Sequence, residues 1–191
     1  MKIGLFFGSF NPIHVGHLAI ADVMANQTDL DQVWFIVSPQ NPLKKSKSLL
    51  HAHDRLKMVD LAIADNYKFK SSNVEFSMPI PSFTSDTLAF LTDSNKEHEF
   101  VLIIGEDNLV HFHKWKNYQS ILDHYGLYVY PRPNVNKEKI QVSHDNIKFI
   151  DAPMMDISAT FIREAIRNDH SIQYLLPEAL IDYIQLKKFY H

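Results

Sequence analysis

Apolar residues in this chain fall into short dense runs, and between the runs they recur three or four positions apart. The runs are residues 3–7, 33–37, 100–105, 127–130 and 147–150. Runs of that length, apolar at successive positions apart from Lys148 in the last, read as strands of a parallel sheet, the fully apolar ones covered on both faces. Val74-Glu75-Phe76, closed off by Pro79 and Pro81, reads as a further short strand, third in chain order. The intervening stretches carry helical spacing. His14 opens one with Leu18, Ile20 and Val23, and residues 51–66 place Leu56, Val59 and Ile63 on one face. That register leaves Arg55 on the opposite face as a solvated charge. Residues 82–88 begin a helix that Thr84 or Ser85 can cap. Ser158 can cap another with Ile162, Ala165 and Ile166 inward, and Pro177 opens a last one along Leu180, Ile181 and Ile184. Strands alternating with helices from end to end predict an α/β fold, a doubly wound parallel sheet, with residues 100–105 at its centre. No repeat, low-complexity tract or linker interrupts the 191 residues, so one domain over 1–191 is expected.

Composition narrows the classes. Hydrophobic residues make up 46% and charged residues 21%, which suits a folded domain with a real core. A net charge of −3 argues against binding nucleic acid through its phosphates. The absence of cysteine removes disulfides, thiolate metal sites and thiol nucleophiles, and fits a reducing cytoplasm. The apolar start behind Lys2 is too short for a signal segment, and no other stretch has membrane-spanning length. A soluble, cytoplasmic chain without nucleic-acid or membrane partners is expected, its state as monomer or homo-oligomer undecided.

The candidate chemistry begins where the first run ends, at Gly8-Ser9-Phe10-Asn11-Pro12-Ile13-His14-Val15-Gly16-His17. A strand, a tight turn and a helix start offer free N–H groups and a positive dipole end to an anion. His14 and His17, three apart, share a helix face, and Gly16 keeps the backbone between them open to a polyphosphate. Taken alone, the pair equally fits half a metal site or a partly buried polar pair. Of the three lysines at 44, 45 and 47, in the loop after the second run, Lys44 is the best anion contact. Asp107, beside Gly105 at the end of the central run, suits a ribose hydroxyl, a metal-bound water or a helix dipole. Trp115 is either core or a stacking platform. His111 and His113 read as structural or surface residues. Thr84 either caps or helps its helix start receive an anion. Ser158, Thr160 and Arg163 either cap a helix or grip a terminal phosphate.

The first of these segments resembles the GxFxPxHxGH signature of the nucleotidylyltransferase superfamily, with Asn11 where Asp is usual. Ile157-Ser158-Ala159-Thr160-Phe161-Ile162-Arg163 is similar to its second motif, ISSTxxR, with Ala159 in place of serine. The middle of the chain is similar to bacterial nicotinate-nucleotide adenylyltransferases. Ser82-Phe83-Thr84-Ser85-Asp86-Thr87-Leu88 resembles their SYTxxTL, and residues 103–109 resemble IIGxDxL with Trp115 downstream. Arg132-Pro133 resembles their RPG turn and residues 174–177 their YLP. Asn41-Pro42-Leu43-Lys44 departs from their PPHK by losing the histidine.

The resemblance implies a Rossmann-like enzyme joining ATP to nicotinate mononucleotide, giving deamido-NAD and pyrophosphate. Gly8, Ser9, Phe10, His14, His17, Ser158, Thr160 and Arg163 would hold ATP, with His14, His17 and Arg163 catalytic. Lys44 would lie near the phosphates. Thr84 would receive the pyridine carboxylate, Trp115 would stack on the ring, and Gly105, Asp107 and Arg132 would line the nucleotide. Mg²⁺ would arrive with ATP on phosphate oxygens and water, without a protein metal site. Sister transferases acting on nicotinamide mononucleotide or phosphopantetheine, and a non-catalytic nucleotide-binding module, are the alternatives.

Overall fold

The structure, a computed structural model, describes residues 1–39 and 49–191. Lys44, Lys45 and Lys47, with Asn41-Pro42-Leu43, lie outside the described residues. Six strands form one parallel sheet: β1 (Lys2–Gly8), β2 (Gln32–Val37), β3 (Phe69–Ser72), β4 (Glu99–Gly105), β5 (Leu127–Tyr130) and β6 (Ile147–Phe149). Their spatial order is β3-β2-β1-β4-β5-β6, the doubly wound arrangement that the alternating pattern predicts.

Side chains alternate across the central strands and feed two cores. Phe6, Val33, Phe35, Val101 and Ile103 belong to one face, covered by helices α1 (Val15–Gln27), α2 (Ala52–Ile63), α6 (Ala159–Arg167) and α7 (Glu178–Lys187). Ile3, Leu5, Trp34, Ile36, Leu102 and Ile104 belong to the other. Helices α3 (Thr84–Ser94) and α5 (Tyr118–His124) cover that face, along with Leu109 of the short α4 (Glu106–Leu109). With both faces buried, a run such as Phe-Val-Leu-Ile-Ile needs no polar alternation.

Three expectations are corrected. Val74-Glu75-Phe76 is no strand: residues Val74–Ser77 form a 3₁₀ turn, and β3 is the preceding Phe69–Ser72. The place beside β2 goes to that more polar segment, through pairings from Val33 with Phe69 to Ile36 with Ser72. The turn folds Glu75 inward, where its carboxylate accepts a 2.8 Å hydrogen bond from the Thr87 hydroxyl. At α3 the cap position is Phe83, with no side-chain cap; Thr84 and Ser85 are already inside the helix.

The third correction is Arg55, which is only 1% exposed. It lies on the face that α2 buries, together with Met58, Val59 and Ile63. Among the described residues no helix is long and apolar enough to cross a membrane.

Leu102 is fully buried in the central strand. Leu102→Ala should lower unfolding free energy by ~2–5 kcal/mol in urea denaturation, the range for a buried leucine truncated to leave a cavity. A loss below ~1 kcal/mol would mean that this strand is not the packed centre of the sheet.

Candidate active site

In an open parallel sheet the ligand crevice lies beyond the carboxyl ends of the strands, where strand order reverses. Here the reversal falls between β1 and β4. A cleft of about 810 Å³ opens there, reaching from Gly8 and Ser38 to Gly105 and Tyr130. Gly8, Ser9, Phe10, His14 and His17 line one side of it, and Ser158, Thr160 and Arg163 another. Thr84, Gly105, Asp107, Trp115 and Arg132 complete it. Every candidate among the described residues therefore faces one cavity, while Lys44 falls outside the description.

The two ends of the chain also touch directly. Arg163 donates from Nη1 to the Asn11 carbonyl at 2.8 Å and from Nη2 to the Thr160 hydroxyl at 3.1 Å. Ser158 caps α6 as expected, accepting the Phe161 N–H at 3.1 Å. Asn11 works inside the fold: its side-chain oxygen accepts from the buried Tyr190 hydroxyl at 2.9 Å and from the Leu50 N–H at 3.3 Å.

His14 is the N-cap residue of α1, and its main-chain N–H donates to Nδ1 of His17 at 3.3 Å. With Nδ1 accepting, neutral His17 carries its proton on Nε2. The two imidazoles lie 3.8 Å apart between centroids at 33°, and Phe10 meets His17 edge-on at 5.2 Å. Gly16 has a packing reason besides openness: a Cβ there would stand 3.1 Å from Nδ1 of His14. Burial pushes the His14 imidazole down to about 4, assisted by the Arg132 charge. Burial holds His17 well below the ordinary value too, assisted by His14 and Arg132. Near neutral pH both rings are uncharged donors, and the cations lining the cleft among the described residues are Arg132, Arg163, Lys114 and Lys116.

The other wall is organised by acids. Arg132 lies 3.8 Å from Asp107, measured from Nε to Oδ1. A Cβ on Gly105 would come within 2.4 Å of that oxygen and 2.9 Å of Cγ of Arg132, so only glycine permits this approach. Glu106 is buried; its carboxylate accepts the Arg132 N–H at 3.3 Å and pairs with Lys137 at 2.8 Å. Lys116 ties the Trp115 segment to α3, reaching Asp86 at 2.8 Å and covering the Phe83 ring at 4.8 Å. Trp115 itself packs on Phe112 with centroids 5.1 Å apart. His111 lines the cleft and is exposed.

Sequence reasoning missed Arg55, Glu75 and Glu106. The spacing of Arg55 with Met58 and Val59 was the available signal for the first. Nothing in the sequence distinguished the two acids from solvated neighbours.

Comparison with known proteins bears on the family and the fold. A family model described as cytidylyltransferase-like matches residues 5–165. A "Probable nicotinate-nucleotide adenylyltransferase" of Cytophaga hutchinsonii is 55% identical over 190 residues, covering 100% of this chain and 98% of that one. A protein of the same description from Flavobacterium psychrophilum is 52% identical over 191 residues, with 100% and 99% covered. The solved structure of Plasmodium falciparum nicotinic acid mononucleotide adenylyltransferase complexed with NaAD shares the fold. Its TM-score is 0.82 at 18% identity, over 99% of this chain and 97% of that one.

The buried histidines link stability to pH. Because His14 is held lower in the folded protein than in the unfolded chain, protons bind the unfolded state preferentially once pH falls below about 6.5. Its contribution is intact above that value and is lost as pH falls towards about 4. The His14 ring, followed by NMR, should titrate with a midpoint near 4; a midpoint near 6.5 would contradict its burial.

Proposed function

The chain belongs to the cytidylyltransferase-like family and within it to the nicotinate-nucleotide adenylyltransferases, and on that premise we propose how its cleft performs the transfer. The substrates are MgATP and nicotinate mononucleotide, met in the cytoplasm. A phosphate oxygen of the mononucleotide attacks the α-phosphorus of ATP, the bond to the β-phosphate oxygen breaks, and pyrophosphate leaves as deamido-NAD forms. The observation that carries this reading is the shared cleft lined by both motif ends of the chain.

The nucleophile is already an anion, so no side chain has to remove a proton. Catalysis of such a transfer rests on positioning and on stabilising charge. His17 donates from Nε2 to the phosphates, with its ring fixed through Nδ1. His14 stacks against it and presents a second neutral ring. Arg163, aligned by Asn11 and Thr160, steadies the charge gathering on the departing pyrophosphate. Ser158 and Thr160 line the same end; Lys44, outside the described residues, is assigned to the phosphates by the resemblance alone. Across the cleft, Trp115 stacks on the pyridine ring and the α3 start at Thr84 receives its carboxylate. Gly105, Asp107 and Arg132 border the mononucleotide.

The donors of the cleft suit a magnesium ion that enters with the nucleotide. His14, His17, Arg132 and Arg163 line the cleft with N–H groups suited to phosphate oxygens, which leaves the remaining phosphate oxygens for the ion. Phosphate oxygens and water would hold the ion, which would supply screening between the two anions when bound.

Pyrophosphate release, measured in parallel with the nicotinate and nicotinamide nucleotides, should strongly favour the acid; equal rates would contradict the assignment of acceptor. His17→Ala should slow turnover by ~10²–10³-fold, the scale for losing one donor to developing charge. Turnover within about twofold of wild type would remove His17 from the mechanism.

A further inference from the structure

Arg55 is buried in the cleft-side core yet plays no part in the chemistry above. A guanidinium this deeply buried ordinarily faces a carboxylate. Among the described residues Arg55 makes no ion pair. Its donors go to four main-chain carbonyls instead. Nε reaches Leu50 at 2.9 Å, Nη1 reaches Ser9 and also Ser38 at 2.8 Å, and Nη2 reaches Pro39 at 2.9 Å. Ser9 follows β1, Ser38 and Pro39 follow β2, and Leu50 precedes α2. One side chain thus ties together the backbone that leaves two neighbouring strands at the mouth of the cleft.

The direction of these bonds matters more than their number. In a trans peptide the C=O and N–H point opposite ways. Among the described residues the cis peptides are Asn11–Pro12 and Ile80–Pro81, so the Ser9–Phe10 peptide is trans. With the Ser9 carbonyl turned onto Arg55, the Phe10 N–H is turned away from it, and both residues line the cleft. That N–H has no hydrogen-bond partner among the described residues. Phe10 is held at φ 45°, a left-handed conformation costing a side-chain-bearing residue on the order of 1–2 kcal/mol, so something has to hold it. Its buried ring, packed on Phe6, Phe35 and His17, holds one end of the residue. Arg55 holds the other, and its charge polarises the peptide towards stronger N–H donation.

We propose that Arg55 is a positioning residue for the triphosphate: it fixes the Ser9–Phe10 peptide so that the Phe10 N–H faces the cleft as an oxyanion donor, and it places beneath that peptide a positive charge that no acid among the described residues pairs. The proposal rests on reading the cleft as the triphosphate site. It differs from a purely structural tie in being selective for one of the two substrates.

Arg55→Lys retains the charge but loses the planar fork. It should raise KM for ATP by ~10–100-fold while KM for the mononucleotide stays within about twofold, the scale for a lost charge-assisted donor set. A lower melting temperature with both KM values unchanged, or an equal rise in both, would overturn the proposal. The wild-type protein gives a second test that does not depend on the variant folding. The Phe10 amide resonance should shift saturably on titration with inorganic pyrophosphate, and an unmoved resonance would overturn the proposal. Turnover that ignores His17→Ala would remove the triphosphate reading itself. Turnover that requires His17 while the Phe10 amide stays unmoved would overturn the role of Arg55 alone.

Discussion

Two guanidinium groups hold the loop after β1 by its carbonyl oxygens, and the geometry of the cleft follows from that hold. Arg55, from α2, takes the Ser9 carbonyl, and Arg163, from α6, takes the Asn11 carbonyl. Tyr190, near the C-terminal end of the chain, closes on the Asn11 side chain. So short a loop buries too little surface of its own to offset the entropy lost in holding one conformation. Partners from three later elements do that work, and so the shape of the first motif depends on contacts with α2, α6 and Tyr190. The phosphate end of the cleft is therefore a tertiary construction, although its sequence signature is local.

The electrostatics follow from the same packing. Stacking two imidazoles at 3.8 Å inside a largely apolar wall and near Arg132 disfavours protonating either. Fixed positive charge comes from Arg132 and Arg163, which stay protonated, and from Lys114 and Lys116 on the same cleft. This division suits a reaction whose two reactants are polyanions. Neutral donors orient individual oxygens without depending on pH near neutrality, while the arginines supply field. Asp107 and Glu106 then limit the positive charge of the opposite wall, one beside the Arg132 guanidinium and the other on its main-chain N–H.

The parts legible in the sequence were those where one physical demand dominates. A strand buried on both faces must be a dense apolar run, so β1, β2, β4 and β5 were readable; β6, an edge strand with Lys148 and Phe149 exposed, showed only through its apolar residues. The polar β3 was not readable, because an edge strand flanked by a turn gives a weak apolar signal, and Val74-Glu75-Phe76 offered a stronger one. The cap at Ser158 was legible because the hydroxyl meets its own helix. Thr84 misled because the chain already turns helical there, one residue after Phe83. Arg55 fitted two helical registers, and choosing Leu56 with Val59 over Met58 with Val59 sent it to solvent. Its partners are carbonyls from residues 9, 38, 39 and 50, and backbone acceptors leave no mark in a sequence. Glu106 was hidden for a different reason: Lys137 reaches it from a polar stretch some thirty residues on, where nothing marks one lysine as its partner.

The central claim is that side chains from the two distant motifs act on one triphosphate as a unit. A double-mutant cycle on kcat/KM for ATP, combining His17→Ala with Arg163→Lys, tests it most directly. The account predicts that the double variant loses far less than the product of the two single losses, as groups serving one transition state do. Losses that multiply cleanly would contradict it, because they would mean that the two ends of the chain act on separate events.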